Sequence, residues 1–411
     1  MLKLTNSLGR KKEAFRPRHN GEVRVFTCGP SIYLRPHIGN YRTFLYEDIV
    51  VRYLEYRGHK VKRIINFTDV EDKSISTAHA KHKGVLEYTE DISHHFFKET
   101  ELLRIKLPPV VPRSSTTVHE AAKIAQRLIK TGYAYWHDGN VYFDPLKFKG
   151  FGKLFGLDMK RWPKKHVRFS KDTYEGRRWN RGDFILWHGH KRGAEPCWDT
   201  VIGRGRPSWN IQDPAIIIKH LGETVDINCG GIDNIYRHHD YNIAVMESFT
   251  GKPYAGFYLH GEHLVLDGKK MSKSKGNILY PEHVFHRGYK PAHLRFFLTY
   301  TWYRKKLNFT WKRFAARAAR LDAFHGTVSR LLAARGAETS AEALRLVKGM
   351  TASFEAAMDD DLHLGVAFDA VEQAAKRLDR IRAAGAFGRE GAAMLKETLK
   401  RLDTVARFLI P

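Results

Sequence analysis

The sequence predicts an α/β fold, in which a doubly wound parallel nucleotide-binding sheet carries an insertion and is followed by a C-terminal helical bundle. Residues 23–28 form an apolar, β-rich run that ends in a Gly-Pro turn, and residues 60–67 form a second such run. Between them, residues 41–56 have apolar side chains at helical spacing. Strand, helix and strand in this order are the first half of a doubly wound sheet.

The later elements follow from the same periodicities. Residues 75–135 are predicted to be mostly helical, and residues 133–143 to form a hairpin that turns at Asp138 and Gly139. The second half of the sheet is expected at 226–229, with a helix over 239–250 and a strand-like run over 257–266. From residue 311, helical spacing predicts a small bundle, with the apolar positions Leu321, Phe324, Val328, Leu331, Leu332, Val366, Val371, Leu378, Ile381, Leu395, Leu399, Leu402 and Phe408.

Four regions are predicted from these patterns. Residues 1–75 form the first half of the nucleotide-binding domain, and residues 76–200 form a helical and basic insertion. Residues 201–290 form the second half with a lysine-rich loop, and residues 291–411 form a stem and the helical bundle. A length of 411 residues agrees with two or three domains.

Composition narrows the class of protein. No apolar run reaches 18 residues, and the first four residues lack the apolar core of a signal peptide. The three cysteines, Cys28, Cys197 and Cys229, are widely spaced and odd in number, which argues against a disulfide scaffold. We therefore expect a soluble, cytoplasmic protein with no membrane association.

The net charge of +26 predicts a polyanionic partner. Residues 146–192 contain fourteen Lys or Arg against four Asp or Glu, interleaved with aromatic side chains. Bases or phosphates could dock on such a segment. A solvated basic insertion explains the same composition equally well, so both interpretations stay open.

His37, Ile38, Gly39 and Asn40 stand at the start of the helix predicted over 41–56. Gly39 has no side chain, which lets a nucleotide approach the backbone closely. His37 falls at the helix N-terminus, where the helix dipole and unpaired N–H groups favour anions. These residues predict a phosphate site, although such a tetrapeptide alone also arises by chance.

A second signature, Lys270-Met271-Ser272-Lys273-Ser274, lies between Gly268 and Gly276. The flanking glycines allow Lys270 and Lys273 to act as a mobile cationic lid over a triphosphate. A carboxylate that attacks the α-phosphorus of ATP builds charge on the phosphoryl oxygens, which pre-placed cations and donors stabilise. The two signatures in this order predict ATP-driven activation of an amino acid.

The chain resembles the class I aminoacyl-tRNA synthetases, and among them the cysteinyl-tRNA synthetases. The similarity is colinear from about residue 20 to about residue 365. The segments that carry it are residues 27–30, 53–58, 66–73 (NFTDVEDK), 183–187 (DFILW), 205–209 (GRPSW), 230–233 (GGID), 238–239, 270–274, 294–297 and 354–361 (FEAAMDDD). The resemblance implies a HUP-type sheet, formation of an aminoacyl-adenylate from ATP with Mg²⁺, and transfer of the amino acid to tRNA.

The resemblance also implies a role for individual residues in catalysis, in ATP binding or in amino-acid binding. The catalytic candidates are His37, Asn40, Lys270 and Lys273. The ATP-binding candidates are Gly39, Gly230, Gly231, Asp233, Ser272 and Ser274, with Asp233 on the ribose hydroxyls. The amino-acid-binding candidates are Cys28, Gly29, Thr68, Trp209, Asp213, His238 and Asn242.

The metal site departs from the family pattern. In the family, a zinc ion held by two Cys, one His and one Glu grips the substrate thiolate, and the matching residues here are Cys28, Asp213, His238 and Asn242. Asp213 replaces a Cys and Asn242 replaces the Glu. Cys28, Asp213 and His238 could still hold zinc with one position open. Alternatively, the metal is lost and Asp213, His238 and Asn242 select another amino acid through hydrogen bonds.

The acceptor of the activated amino acid has two interpretations. The family usually continues into a small anticodon-recognising domain, whereas only fifty residues follow FEAAMDDD here. A related enzyme class, the cysteine ligase of mycothiol synthesis, joins the amino acid to an amino-sugar. The positive charge favours tRNA. A third alternative, a non-catalytic RNA-binding protein of synthetase type, is disfavoured because both nucleotide signatures are intact. We expect a monomer.

Overall fold

The computed structural model describes residues 1–158, 183–191, 196–271 and 276–411. Thirteen strands lie within these residues, namely β1 Lys3–Asn6, β2 Lys11–Ala14, β3 Val23–Thr27, β4 Val61–Ile65, β5 Ala134–His137, β6 Asn140–Phe143, β7 Phe184–Gly189, β8 Gly205–Pro207, β9 Val225–Gly231, β10 Ala255–Gly261, β11 Leu264–Leu266, β12 Lys269–Lys270 and β13 Leu307–Phe309.

Twelve α-helices lie within the same described ranges. They are α1 Ile38–Tyr56, α2 Asp72–Ala80, α3 Val85–Leu102, α4 Val118–Lys130, α5 Trp209–His220, α6 Asp240–Thr250, α7 Pro281–Phe285, α8 Pro291–Tyr300, α9 Trp311–Leu332, α10 Ala341–Asp359, α11 Leu364–Ala383 and α12 Arg389–Ala406. None of the described helices is long and apolar enough to cross a membrane.

The central sheet is parallel and has the strand order β10-β9-β3-β4. Helix α1 connects β3 to β4, and α6 connects β9 to β10. The strand order therefore reverses between β3 and β9, and ligands of doubly wound sheets bind at the carboxyl ends of the strands at such a point. The α/β prediction is confirmed.

The insertion contains α2, α3 and α4 and then an antiparallel sheet with the order β5-β6-β7-β8. The predicted hairpin is present, because β5 and β6 pair across Asp138 and Gly139, which both have positive φ. The basic and aromatic segment predicted over 146–192 falls largely on residues 159–182, outside the described ranges. The four predicted domain boundaries stay a prediction.

The strand predicted over 257–266 is wrong as a single element. The chain leaves the central sheet after Gly261, and β11 joins a separate three-stranded sheet with β12 and β13. The backbone N–H of Glu262 donates to Tyr303 O at 2.7 Å, which directs the chain towards the stem. His260, Gly261, Glu262 and His263 stand where β10 ends and β11 begins, so the sequence did carry a signal of the break that the prediction passed over.

The C-terminal bundle packs against α1 and α8 through one apolar core. Phe324, Val328, Val371 and Leu378 are buried in it, whereas Val366 is 56% exposed. Val366 precedes Val371 by five residues and so lies off the stripe that spacings of three and four produce.

A buried ion pair ties α8 to α1. The guanidinium of Arg295 donates to Asp48 Oδ2 at 2.7 Å and to Ala406 O at 2.8 Å. Burial acts to raise the pKa of Asp48, but Arg295 and Arg52 together hold that pKa below its usual range. The carboxylate therefore stays charged and holds three segments of the chain in one arrangement.

A second buried carboxylate on α1 is poorly compensated. The Glu47 side chain is fully buried, and its oxygens have no hydrogen-bond partner among the described residues. Arg63 Nη2 lies 3.7 Å from Glu47 Oε2. Burial raises the pKa of Glu47 to about 8, and Arg63 offsets only part of that effect.

Glu47→Gln is expected to change how stability depends on pH. The unfolded chain ionises Glu47 above its ordinary pKa, whereas the folded protein keeps the proton up to about pH 8. Stability from this group is therefore present at low pH and is lost as pH rises through that window, at roughly 1.4 kcal/mol per pH unit. The variant should gain melting temperature relative to the parent from pH 5 to pH 8. Glu101→Gln, an exposed control on α3, should follow the parent, and identical profiles for Glu47→Gln and the parent would contradict the assignment.

Candidate functional site

His37 caps the N-terminus of α1, as the sequence predicts. Its Nδ1 accepts the Gly39 N–H at 3.1 Å, and Asn40 Oδ1 accepts the His37 N–H at 3.0 Å. Burial lowers the pKa of His37, and nearby Lys270 lowers it further. The imidazole is therefore neutral near pH 7, with Nδ1 as the acceptor and the proton on Nε2.

The start of α1 lies beside Met271, the residue that follows Lys270 and β12. A Cβ on Gly39 would lie 2.9 Å from Met271 Cε, so a larger residue there would push this side chain aside. The Ile38 N–H donates to Leu279 O at 3.0 Å, which joins α1 to the loop before α7. Lys270 is exposed at the end of β12. The other predicted residues of this loop, Ser272, Lys273 and Ser274, lie outside the described residues.

The glycine pair predicted to face adenosine lies at the carboxyl end of β9. Gly230 and Gly231 end the strand, and a short 3₁₀ turn over Ile232–Asn234 follows. A Cβ on Gly230 would lie 2.7 Å from His239 Cε1, and one on Gly231 would lie 2.7 Å from Asp233 Oδ1. A side chain at either position would therefore push on His239 or Asp233, and the Asp233 carboxylate lies close to the end of the strand.

Three predicted pocket residues lie together between β3, α5 and the turn before α6. His238 Nε2 lies 3.3 Å from Cys28 Sγ and 3.0 Å from Asp213 Oδ2. Asn242 Nδ2 donates to the same Asp213 oxygen at 3.3 Å. The Trp209 ring stacks on the His238 ring, with the centroids 5.1 Å apart. With Asn242 and Trp209 added to these three, five side chains from three separate stretches of the chain line one place.

Gly29 and Thr68 hold the loops at the base of this pocket. Gly29 packs so closely that a Cβ would lie 1.7 Å from Asn66 O. Thr68 accepts from the Ile32 N–H at 3.1 Å and donates its own N–H to Pro30 O at 3.2 Å. Both residues therefore shape the pocket through backbone contacts, and the structure records no side-chain hydrogen bond for Thr68 among the described residues.

Asn66 is a pocket residue that sequence reasoning missed. Its side chain is buried, accepts the Gly29 N–H at 3.0 Å and donates to Asp213 Oδ1 at 2.9 Å. It thereby joins the loop after β3 to α5 and holds the Asp213 carboxylate in place. The available signal was its position as the first residue of NFTDVEDK, a polar residue near the carboxyl end of the second strand predicted over 60–67.

His239 was also missed, and it extends the donor cluster. Ligand atoms of Cys28, His238 and His239 lie within 4.8 Å of one another. His239 Nδ1 lies 2.8 Å from His260 Nε2, and among the described residues its buried Nε2 has no hydrogen-bond partner. Burial drives the pKa of His239 well below its usual value, so the ring is neutral.

The donor set suits a tetrahedral metal ion. Cysteine sulfur, imidazole nitrogen and carboxylate oxygen are the ligands that zinc prefers. The separations of 3.3 Å from His238 Nε2 to Cys28 Sγ and 3.0 Å to Asp213 Oδ2 are close to those between neighbouring ligands of one such ion. They are also ordinary hydrogen-bond distances, and burial raises the pKa of the Cys28 thiol, with Asp213 adding to the effect. Cys28, Asp213 and His238 therefore fit a metal ion, and they also satisfy one another's hydrogen-bonding groups.

Comparison with known proteins gives the same family from sequence and from fold. The family model described as "tRNA synthetases class I (C) catalytic domain" matches residues 14–318. The cysteine--tRNA ligase of Solibacter usitatus is 35% identical, with 100% of this chain and 87% of that protein aligned. The corresponding ligase of Chlamydia pneumoniae is 34% identical, with 98% of this chain and 85% of that protein aligned.

Solved structures agree on the fold at low sequence identity. One is methionyl-tRNA synthetase of Mycobacterium tuberculosis, solved in complex with methionyl-adenylate. It is 15% identical with a TM-score of 0.69, and the alignment covers 94% of this chain and 90% of that protein. Another is the Agrobacterium radiobacter K84 agnB2 LeuRS-tRNA-LeuAMS complex. It is 12% identical with a TM-score of 0.67, and the alignment covers 96% of this chain and 85% of that protein chain. The chain therefore belongs to the class I (C) tRNA synthetase family.

Proposed function

We propose that this chain activates cysteine with ATP as cysteinyl-adenylate and transfers it to tRNA. The observation that carries the proposal is the proximity of Lys270 and Met271 to the His37 cap and Gly39 at the start of α1, beside the pocket of Cys28, Asp213 and His238. Two relatives aligned over nearly the whole chain are named as cysteine--tRNA ligases.

The phosphate groups of ATP would lie between α1 and β12. Neutral His37 offers its Nε2–H as a donor, and the first turn of α1 adds its dipole. Asn40 uses Oδ1 in the cap, so its amide N–H groups are the ones that can donate to a phosphate. Lys270, together with Lys273, would stabilise the charge that develops on departing pyrophosphate. Bound Mg²⁺ supplies further charge neutralisation at the triphosphate.

The adenosine would lie against the end of β9. Because Gly230 and Gly231 have no side chains, the nucleoside can approach the backbone, and the Asp233 carboxylate can accept the ribose hydroxyls. The α-phosphorus of ATP would then lie between the phosphate site at His37 and the amino-acid pocket at Cys28. The carboxylate of the amino acid then needs only to be oriented for in-line attack.

The amino-acid pocket would select cysteine through zinc held by Cys28, Asp213 and His238, with His239 as a further nitrogen donor. Shape alone separates cysteine from serine or alanine poorly, by about 1–3 kcal/mol in an apolar pocket. Zinc, when bound, supplies a direct bond to the substrate sulfur. Trp209 provides the wall of the pocket by stacking on His238, and Asn66 and Asn242 orient the Asp213 carboxylate.

Transfer to tRNA is supported by the charge of the stem region. Residues 268–320 contain fourteen Lys or Arg and one acidic residue, Glu282. Lys305, Lys306, Lys312 and Arg313 are exposed, and they follow or precede β13, which pairs with the strand next to Lys270. Such a surface favours a phosphate backbone over a small neutral amine.

Lys270→Ala is expected to lower cysteine-dependent ATP–pyrophosphate exchange by on the order of 100-fold in kcat, because a charge that stabilises the transition state is removed. The parent should show exchange with cysteine and not with the other nineteen amino acids. Lys269→Ala is the matched control, since Lys269 is the equally exposed neighbour on β12, and it should keep parental exchange. A parent without exchange for any amino acid, combined with retained RNA binding, would support the non-catalytic alternative instead.

Zinc binding is expected to depend on the donor residues of the pocket. Cys28→Ser should lower the zinc content measured by mass spectrometry, whereas Cys197→Ser, at a cysteine outside the cluster, should not. Asp213→Cys combined with Asn242→Glu should raise zinc affinity tenfold or more, roughly, because a soft anionic ligand and a carboxylate are added. An unchanged zinc content in that double variant would count against placing Asp213 and Asn242 at ligand positions.

The tRNA assignment predicts a specific loss when stem charges are removed. Lys305→Ala with Lys306→Ala should raise the KM for tRNA about tenfold and flatten its salt dependence, since phosphate contacts release counterions. Exchange without tRNA should be unchanged. Lys60→Ala with Lys62→Ala, at the amino end of β4 and thus away from the carboxyl edge, is the control. Consumption of the adenylate by an amino-sugar, with no charging of tRNA, would favour the small-amine acceptor.

A further inference from the structure

The side chain of Tyr46 reaches from α1 to the glycine pair at the end of β9. Its hydroxyl accepts the Gly230 N–H at 2.9 Å, and it lies 2.6 Å from Gly230 O and 3.1 Å from Leu259 O, to either of which it can donate. All these groups are buried. One phenol therefore satisfies both backbone groups of Gly230 where β9 and β10 end.

Gly230 needs such a support for a physical reason. Two adjacent glycines have wide conformational freedom, so a strand that ends in them is not fixed by its own backbone preferences. Pairing between β3 and β9 stops at Thr27 and Cys229, one residue before Gly230, so the glycine pair is held by β10 on one side only. A hydroxyl that donates and accepts can fix the direction of both the N–H and the C=O of the residue that follows.

The ring of Tyr46 is itself held in place. It stacks on Tyr303, with the centroids 4.9 Å apart and an interplanar angle of 15°. The Tyr303 hydroxyl donates to Asp361 Oδ1 at 2.8 Å. On the other side, a Cβ on Gly261 would lie 2.6 Å from Tyr46 Cε1, so only a glycine leaves room for the ring. The hydroxyl therefore has a defined position before any ligand binds.

Tyr46 and His37 belong to the same helix. His37 caps α1, and Tyr46 lies nine residues further along it, which is two and a half turns. We propose that Tyr46 is a positioning residue that fixes the adenosine-binding glycine pair relative to the phosphate-binding end of α1, so that both ends of ATP are held by one rigid element. The inference rests on the proposed function, because it takes Gly230 as part of the adenosine site.

Tyr46→Phe tests this directly, because it keeps the ring and removes the hydroxyl. The KM for ATP in pyrophosphate exchange should rise about tenfold, while kcat at saturating ATP and the KM for cysteine stay near parental values, since ground-state nucleotide binding is what weakens. Calorimetric titration with Mg-ATP, which needs no turnover, should show the same loss of affinity.

Tyr53→Phe is the matched control, since it removes the hydroxyl of another buried tyrosine on α1, and that hydroxyl donates to Asp359 Oδ1 at 2.8 Å instead of to the end of β9. It should lose stability without changing the KM for ATP. Gly261→Ala provides a second route to the same contact, because its methyl group pushes on the Tyr46 ring from the sheet, and it should weaken ATP binding as Tyr46→Phe does. If Tyr46→Phe does not fold, the ATP affinity of Gly261→Ala tests the role of the Tyr46 contact in its place.

The outcomes separate this inference from the proposed function. A parent that binds no Mg-ATP in the titration would overturn the proposed function. A parent that binds Mg-ATP, with Tyr46→Phe and Gly261→Ala binding it equally well, would overturn the role of Tyr46 alone. An equal rise in the KM for ATP in Tyr53→Phe would also overturn it, because any loss of a buried hydroxyl from α1 would then have the same effect.

Discussion

Helix α1 is the constraint on which the rest of the structure depends. Its first turn lies against Met271, the residue after Lys270, which places the lysine strand beside the His37 cap. Its middle carries Tyr46 under the end of β9, and two residues further on it carries Asp48, which binds Arg295 of α8. Displacing α1 would move the phosphate site, the glycine pair and the stem at once, so its burial serves geometry as much as stability.

The pocket combines strong structural support with an altered donor set. Asp213 stands where the resembled family carries cysteine, and it is held by Asn66, His238 and Asn242 together. A carboxylate fixed by three partners is well oriented towards Cys28, but it has fewer free lone pairs for a metal. The chemistry of this site is therefore a balance between hydrogen bonds within the protein and coordination of an ion, and zinc affinity should be weaker than in a site with two cysteines and a glutamate.

Local patterns in the sequence predicted much of the fold and of the site, and long-range contacts account for the rest. Helical spacing predicted α1 with its cap at His37, and Asp138-Gly139 predicted the hairpin, because both depend on neighbouring residues. Residues 260–263, three polar residues and a glycine, marked the break after Gly261, which the prediction of one strand passed over. The contacts of Asn66, His239 and Tyr46, in contrast, join residues that lie far apart in the chain. No periodicity reports such contacts, so only the folded structure could reveal them.

A crystal structure with a non-hydrolysable ATP analogue and Mg²⁺ tests the central claim most directly. We expect the triphosphate to lie between His37 and Lys270, with the ribose hydroxyls on Asp233 and the adenine against Gly230. A nucleotide bound elsewhere, or density at this crevice that touches only one of the two signature segments, would contradict it.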